Sequence, residues 1–182
     1  MKYLFLMGPS GSGKTTLAKT LGDKPDKYKR LTQCTTREKR QNETEGVEYN
    51  FLTKGQFDKL NSENKLTTVV KREFGNTSYG TPIKDLDPKK VNIIIASIEG
   101  LLDSMNKINP EEDDIHVVFI CNVSEPEAKR ANRSFKEEEK YTRIVLEKLK
   151  GINLITIPHQ KLINIRDCRL KLNRFLVMRG VK

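Results

Sequence analysis

The chain has 182 residues, 36% of them hydrophobic and 32% charged, which suits one α/β domain with insertions better than two independent domains. The spread of apolar runs argues against disorder, and no apolar stretch approaches the roughly 20 residues that a membrane span needs. A net charge of +10 requires anionic partners, and phosphorylated small molecules, an acidic surface or nucleic acid all satisfy it.

The start, Met1-Lys2-Tyr3-Leu4-Phe5-Leu6-Met7, is too short for the apolar region of a signal peptide, so a cytoplasmic protein is expected. Lys2 to Met7 has the length of a strand. Gly8-Pro9-Ser10-Gly11-Ser12-Gly13-Lys14-Thr15-Thr16 follows, with Leu17, Ala18 and Leu21 at helical spacing. This is a complete GxxxxGK[ST] set between a strand and a helix, as the motif requires. Gly11 and Gly13 let the backbone turn without a Cβ clash, so successive N–H groups point at phosphate oxygens. The helix dipole favours the same anion. Ser10, Gly11, Ser12, Gly13, Lys14, Thr15 and Thr16 are therefore the expected cradle for ATP. Lys14 meets the β- and γ-phosphates, and the Thr15 hydroxyl is placed for Mg²⁺.

A less distinct strand is expected near Lys29–Cys34. Residues 33–83 then interrupt the pattern with short β-like pieces and Gly/Asn/Thr turns. Within them stand Thr35-Thr36-Arg37-Glu38-Lys39-Arg40, then Glu43-Thr44-Glu45-Gly46-Val47-Glu48-Tyr49-Asn50-Phe51, Phe57 and Gly75-Asn76-Thr77-Ser78-Tyr79-Gly80-Thr81. Arginine forks bind phosphate bidentately, and phenols and hydroxyls complete an oxyanion's hydrogen bonds. Beside a triphosphate site, a second anion site implies a phosphoryl acceptor.

Further strands are expected at residues 92–97, 117–121 and 153–157, and helices near 100–108, 125–150 and 160–178. The last carries an apolar stripe through Leu162, Ile165, Leu172 and Phe175, read as core packing. Strands alternating with helices imply a three-layer α/β sandwich on a parallel sheet. Neither of the runs 91–97 and 117–121 ends in an acidic residue, and no NKxD motif is present, which disfavours motor, helicase and GTPase readings. Cys34, Cys121 and Cys168 are odd in number and widely spaced, hence reduced thiols. His116 and His159 are too isolated for a metal site. Basic residues alternate with Glu, as over Phe135–Lys140; solvated helix faces and phosphate sites explain that pattern as well as a nucleic-acid groove does, and nucleic acid is not an expected partner.

With its P-loop, TTRxxR, ExxGxxYxF, downstream Phe57 and GNxxYGT, the chain resembles the guanylate kinases, most densely over residues 1–81. The resemblance implies a P-loop NTPase core from 1–32, 84–126 and 145–182, a nucleoside-monophosphate-binding insertion at 33–83, and a mobile helical lid at 127–144. It implies that Arg37, Arg40, Tyr49, Tyr79 and Thr81 grip the acceptor phosphate. The lid arginines Arg130, Arg133 and Arg143 would join Lys14 and Arg37 over the transferring group, although Ser134 stands where a glycine is usual. Guanylate kinases read guanine with a serine, a glutamate and an aspartate; here those positions hold Gln33, Thr68 (Val69 if the one extra residue before Tyr79 falls earlier) and Ser97. Glu73 or Glu99 could restore a carboxylate. The expectation is ATP-dependent phosphorylation of a nucleoside 5′-monophosphate by a monomer or homodimer, with phosphate handling kept and base recognition changed. Alternatives from the same resemblance are a kinase resembling the ribose bisphosphate phosphokinases and a non-catalytic protein-binding domain; charge alone leaves a nucleic-acid-stimulated ATPase.

Overall fold

In the computed structural model, residues 1–9, 12–72, 76–109, 112–121, 135–149 and 154–158 are described. The first half of the chain forms β1 (Lys2–Met7), α1 (Lys14–Gly22), β2 (Tyr28–Arg30), β3 (Gln33–Thr35), β4 (Tyr49–Phe51), α2 (Lys54–Ser62), β5 (Leu66–Arg72) and β6 (Thr77–Pro82). A 3₁₀ turn at Ile83–Asp85 leads to β7 (Val91–Ile95), α3 (Ile98–Met105), β8 (Asp114–Cys121), α4 (Phe135–Lys148) and β9 (Leu154–Pro158).

Two sheets result. The core sheet runs β2-β7-β1-β8-β9, and all its pairings are parallel. Side chains alternate across a strand, so Leu4 and Leu6 of β1 meet Leu17, Ala18 and Leu21 of α1. Tyr3, Phe5 and Met7 face the other way, onto Ile98 and Leu101 of α3 and Val145 of α4. A strand covered on both faces needs apolar residues at every position, which is why Tyr3–Met7 is an unbroken buried run. The chain leaves β1 toward β7 and β2 on one side and places β8 on the other. The carboxyl end of β1 is thus the topological switch point, where open α/β sheets bind ligands.

The mixed second sheet runs β4-β3-β6-β5, with β3–β4 parallel and the other pairs antiparallel. Its small core is Cys34, Phe57 and Leu66. α2 is started by a capping box: Gln56 N–H donates to Thr53 Oγ1, and Thr53 N–H donates to Gln56 Oε1 at 2.9 Å. α3 joins the sheets, burying Ile98 and Leu101 in the core while packing against β5.

The structure corrects two expected elements. The strand near Lys29–Cys34 is two strands in different sheets. Leu31 N–H still bonds Ile93 of β7 at 3.0 Å, but Gln33 already pairs with Tyr49. The helix expected at 100–108 begins at Ile98, because the Ser97 hydroxyl accepts from Gly100 N–H and caps it. Within 125–150 the helix runs Phe135–Lys148; residues 122–134, with the first part of the expected lid (127–134), lie outside the described residues, as does the helix expected at 160–178. Among the described residues no helix is long and apolar enough to cross a membrane.

Gly8 closes β1 with φ +143°, where an added Cβ would sit 2.5 Å from the Ile120 carbonyl oxygen and 2.9 Å from Ser12 Oγ. Only glycine combines that conformation with that approach. Gly8→Ala should lower stability by roughly 1–3 kcal/mol, read as a lower urea midpoint; an unchanged midpoint would mean that the end of β1 is not packed against β8.

Candidate active site

The turn after β1 is built around its own lysine. Gly13, in the left-handed region at φ 87°, is the N-cap of α1, and its carbonyl accepts the first helical bond from Leu17 at 2.9 Å. Ser12 is buried and its N–H reaches Pro9 O at 3.3 Å. The Lys14 ammonium donates to Gly8 O at 2.8 Å, to Pro9 O and to Ser12 Oγ at 3.4 Å. Thr15 and Thr16 are exposed on the first turn of α1, which carries no acidic residue to oppose the positive end of the dipole. Among the described residues no group of three or more His, Cys, Asp or Glu could hold a metal. The exposed Thr15 hydroxyl is a hard oxygen donor that fits Mg²⁺, which prefers few protein oxygens and takes its remaining ligands from phosphate and water.

The second anion centre lies on the mixed sheet. Arg37 makes a two-pronged pair with Glu43, at 2.7 and 3.0 Å, and also donates to Glu38 O at 2.6 Å. Glu43 accepts from Arg40 N–H at 2.9 Å as well. The Arg37 guanidinium lies 5.4 Å from the Tyr49 ring centre and 5.7 Å from that of Phe51, within cation–π range. The Tyr49 and Tyr79 rings meet edge-on at 6.0 Å. Glu43 first, and a hydrogen bond to Tyr79 among the weaker causes, hold the Arg37 proton more firmly than usual. Arg37 in turn holds the Glu43 carboxyl below its ordinary range, with the Arg40 backbone bond adding to this. Burial, and then Tyr79, push the Tyr49 phenol up, so it remains a hydrogen-bond donor at neutral pH. The loop bearing this centre is tied to the P-loop side of the molecule: Lys19 of α1 pairs with Glu48 at 3.6 Å, and Arg30 of β2 donates to Val47 O at 2.9 Å.

A third cluster sits alongside. The Thr68 and Thr81 hydroxyls, both buried, are 2.6 Å apart. Gln33 Nε2 donates to Thr81 at 3.2 Å and to Thr68 at 3.4 Å. This leaves the Gln33 carbonyl oxygen out of the cluster's own bonds. Ser97 is half-buried at the start of α3.

The guanylate kinase family model matches residues 1–152. The chain belongs to the guanylate kinase family. It is 30% identical to a guanylate kinase of Clostridium perfringens (strain SM101 / Type A) over 182 aligned residues, covering 96% of this chain and 82% of that protein. With a guanylate kinase of Thermobifida fusca (strain YX) it shares 33% identity over 119 residues, covering 65% of this chain and 60% of that protein; the chain thus spans less than two thirds of that relative. The fold matches a crystal structure of guanylate kinase from Anaplasma phagocytophilum with a TM-score of 0.69 and 19% identity, covering 100% of this chain and 87% of that one.

Of the residues expected from the guanylate kinase motifs, Arg37, Tyr49 and Tyr79 come together, while Arg40 is exposed and meets the group through its backbone N–H to Glu43. Gln33, Thr68 and Thr81 form one hydrogen-bonded group. Ser97 caps a helix. Glu99 is exposed on the first turn of α3, and Arg143 is exposed on α4. Ser10, Gly11, Glu73, Arg130 and Arg133 lie outside the described residues. Two residues were missed. Arg72 lies 5.3 Å from the Tyr79 ring centre; Val70 pairs with Tyr79, and strand alternation from Val70 puts Arg72 on the same face. Glu43 was visible only as a motif letter, and its role as Arg37's partner needed the fold.

Glu43 has a depressed native pKa, so its stabilising contribution is complete above the ordinary carboxylate value of about 4.3 and disappears as pH falls through the native value. Glu43→Gln should therefore be less stable than the parent chain at neutral pH, and the gap should close below about pH 4. Urea midpoints measured from pH 7 to pH 3 check this; a gap independent of pH would contradict the ion pair.

Proposed function

We propose that this chain is an ATP-dependent nucleoside monophosphate kinase, transferring the γ-phosphoryl group to a (deoxy)nucleoside 5′-monophosphate. The observation that carries the reading is the convergence of Arg37, Tyr49 and Tyr79 on one anion centre, in a chain whose P-loop is complete. An acceptor phosphate presents the same bidentate face to Arg37 that the Glu43 carboxylate does. Its second pKa is about 6, so the attacking oxygen is already largely ionised and needs no general base. The chain's own task is positioning and charge neutralisation. Lys14 supplies charge at the P-loop, Arg37 and Arg40 orient the acceptor, and Tyr49 and Tyr79 donate to its oxygens. By family resemblance Arg130, Arg133 and Arg143 cover the migrating group and exclude water. Bound Mg²⁺, held at Thr15, would neutralise the β- and γ-oxygens. This reading also carries a cytoplasmic enzyme, monomer or homodimer, working on small anions.

The relatives' name points to a guanylate acceptor. Guanine offers adjacent donors and one acceptor on its pairing edge, which carboxylates suit best. The neutral group of Gln33, Thr68 and Thr81, with Ser97 at the third reading position by resemblance, supports weaker preference for guanine over other bases. Each charge-assisted bond absent is worth roughly 1.5–3 kcal/mol.

An ADP-release screen over all ribo- and deoxyribonucleoside monophosphates, with ribose 1,5-bisphosphate included, should show turnover with several monophosphates. Turnover with ribose 1,5-bisphosphate alone, or ATP hydrolysis raised only by DNA or RNA, would replace this reading. Lys14→Ala should abolish turnover. Arg37→Ala should raise the acceptor KM by roughly 10- to 150-fold; normal acceptor kinetics in that variant would remove Arg37 from the site.

A further inference from the structure

Thr68 stands where a regular strand would not put it. β5 pairs with β6 at Thr67–Thr81 and again at Val70–Tyr79, so Thr68 and Val69 together oppose Gly80 alone. This is a β-bulge. In an unbroken ladder Thr67 would share the face of Thr81, and Thr68 would point away. Here the roles are exchanged: the Thr68 hydroxyl meets Thr81 at 2.6 Å, and the Thr67 hydroxyl turns to Ser104 of α3 at 2.7 Å. The exchange puts Thr68 at φ 54°, an uncommon conformation for a β-branched residue that persists only when its surroundings enforce it.

The enforcing groups come from α3 and the turn after it. A bulge leaves backbone groups without ladder partners, and Val69 N–H instead donates to Asp103 Oδ2 at 2.8 Å. Lys107 Nζ donates to the same oxygen at 2.9 Å and to Leu66 O at 3.1 Å. The pair thus brackets the bulge, holding the carbonyl before it and the amide after it. At Gly100 an added Cβ would lie 3.2 Å from Thr68 O, so the helix backbone itself closes on the bulged residue. Neither Asp103 nor Lys107 belongs to any motif of the sequence analysis.

We propose that Asp103, supported by Lys107, is a positioning residue for acceptor selection: it holds the bulge that turns the Thr68 hydroxyl toward Gln33 and Thr81, and so sets which acceptor base the pocket accepts. The inference rests on the kinase reading above and on that neutral group facing the base.

The test compares the full-length parent, Asp103→Ala and Thr68→Val across the same monophosphate panel. Asp103→Ala should raise acceptor KM about tenfold, the loss of one well-placed hydrogen bond, and shift the order of base preference in the same direction as Thr68→Val. The KM for ATP should stay where it was. If the order changes in Thr68→Val but not in Asp103→Ala, the positioning role is overturned and the base pocket stands. If it changes in neither, both fall; if it changes only in Asp103→Ala, Asp103 acts by another route and the proposal is equally lost. Should Asp103→Ala not fold, Lys107→Met must give the same shift in smaller measure, or the proposal fails. Amide exchange gives a readout independent of turnover: Val69 N–H should be protected in the parent and exposed in Lys107→Met or Asp103→Ala. A chain with no turnover on any acceptor but a protected Val69 would sink the kinase reading and leave the clasp intact. A freely exchanging Val69 in the parent would overturn the clasp directly.

Discussion

Holding a guanidinium still is the constraint on which the acceptor side of this molecule depends. Arg37 is a long side chain on an irregular loop, and without support it would sample many rotamers. The Glu43 carboxylate matches its fork, the rings of Tyr49 and Phe51 lie against it, and Tyr79 borders the same space. A planar cation pinned by a carboxylate and aromatic faces is already ordered, and an ordered fork loses less conformational freedom in any further bidentate contact. The P-loop uses the same strategy with different atoms. Its lysine is held by carbonyls of the turn that precedes it, and its shape is held by a glycine that admits no side chain.

Much of this was readable in the residues because the physics was local. An apolar run that passes through glycines to a lysine and then a helix reads as a buried strand feeding a phosphate-binding turn, and the parallel core follows from strands alternating with helices. The paired arginines and tyrosines were readable as chemistry, though not as a geometry. The helix at Lys54–Ser62 was passed over despite its capping residues Thr53 and Gln56, since the polar segment 54–62 carries only one buried anchor, Phe57. The division between Arg30 and Gln33 was hidden because both flanking pieces have strand character. Nothing in the pattern says that one pairs with Ile93 and the other with Tyr49.

The group of Gln33, Thr68 and Thr81 shows where local reading ends. Periodicity alone turns Thr67 toward Thr81. The bulge brings Thr68 there instead, and its bonds run to Asp103 and Lys107, more than thirty residues downstream. Such contacts leave no periodic trace, since a lone carboxylate in a helix reads from sequence as ordinary surface charge.

The passage from Arg30 to Gln33 carries a mechanical corollary. Two intervening residues, Leu31 and Thr32, link the outer strand of one sheet to an inner strand of the other, and the first is itself bonded to β7. At roughly 3.5 Å per residue, that strap is too short to let Arg30 and Gln33 separate by more than about 10 Å, so the edge of one sheet and an inner strand of the other stay neighbours at this point.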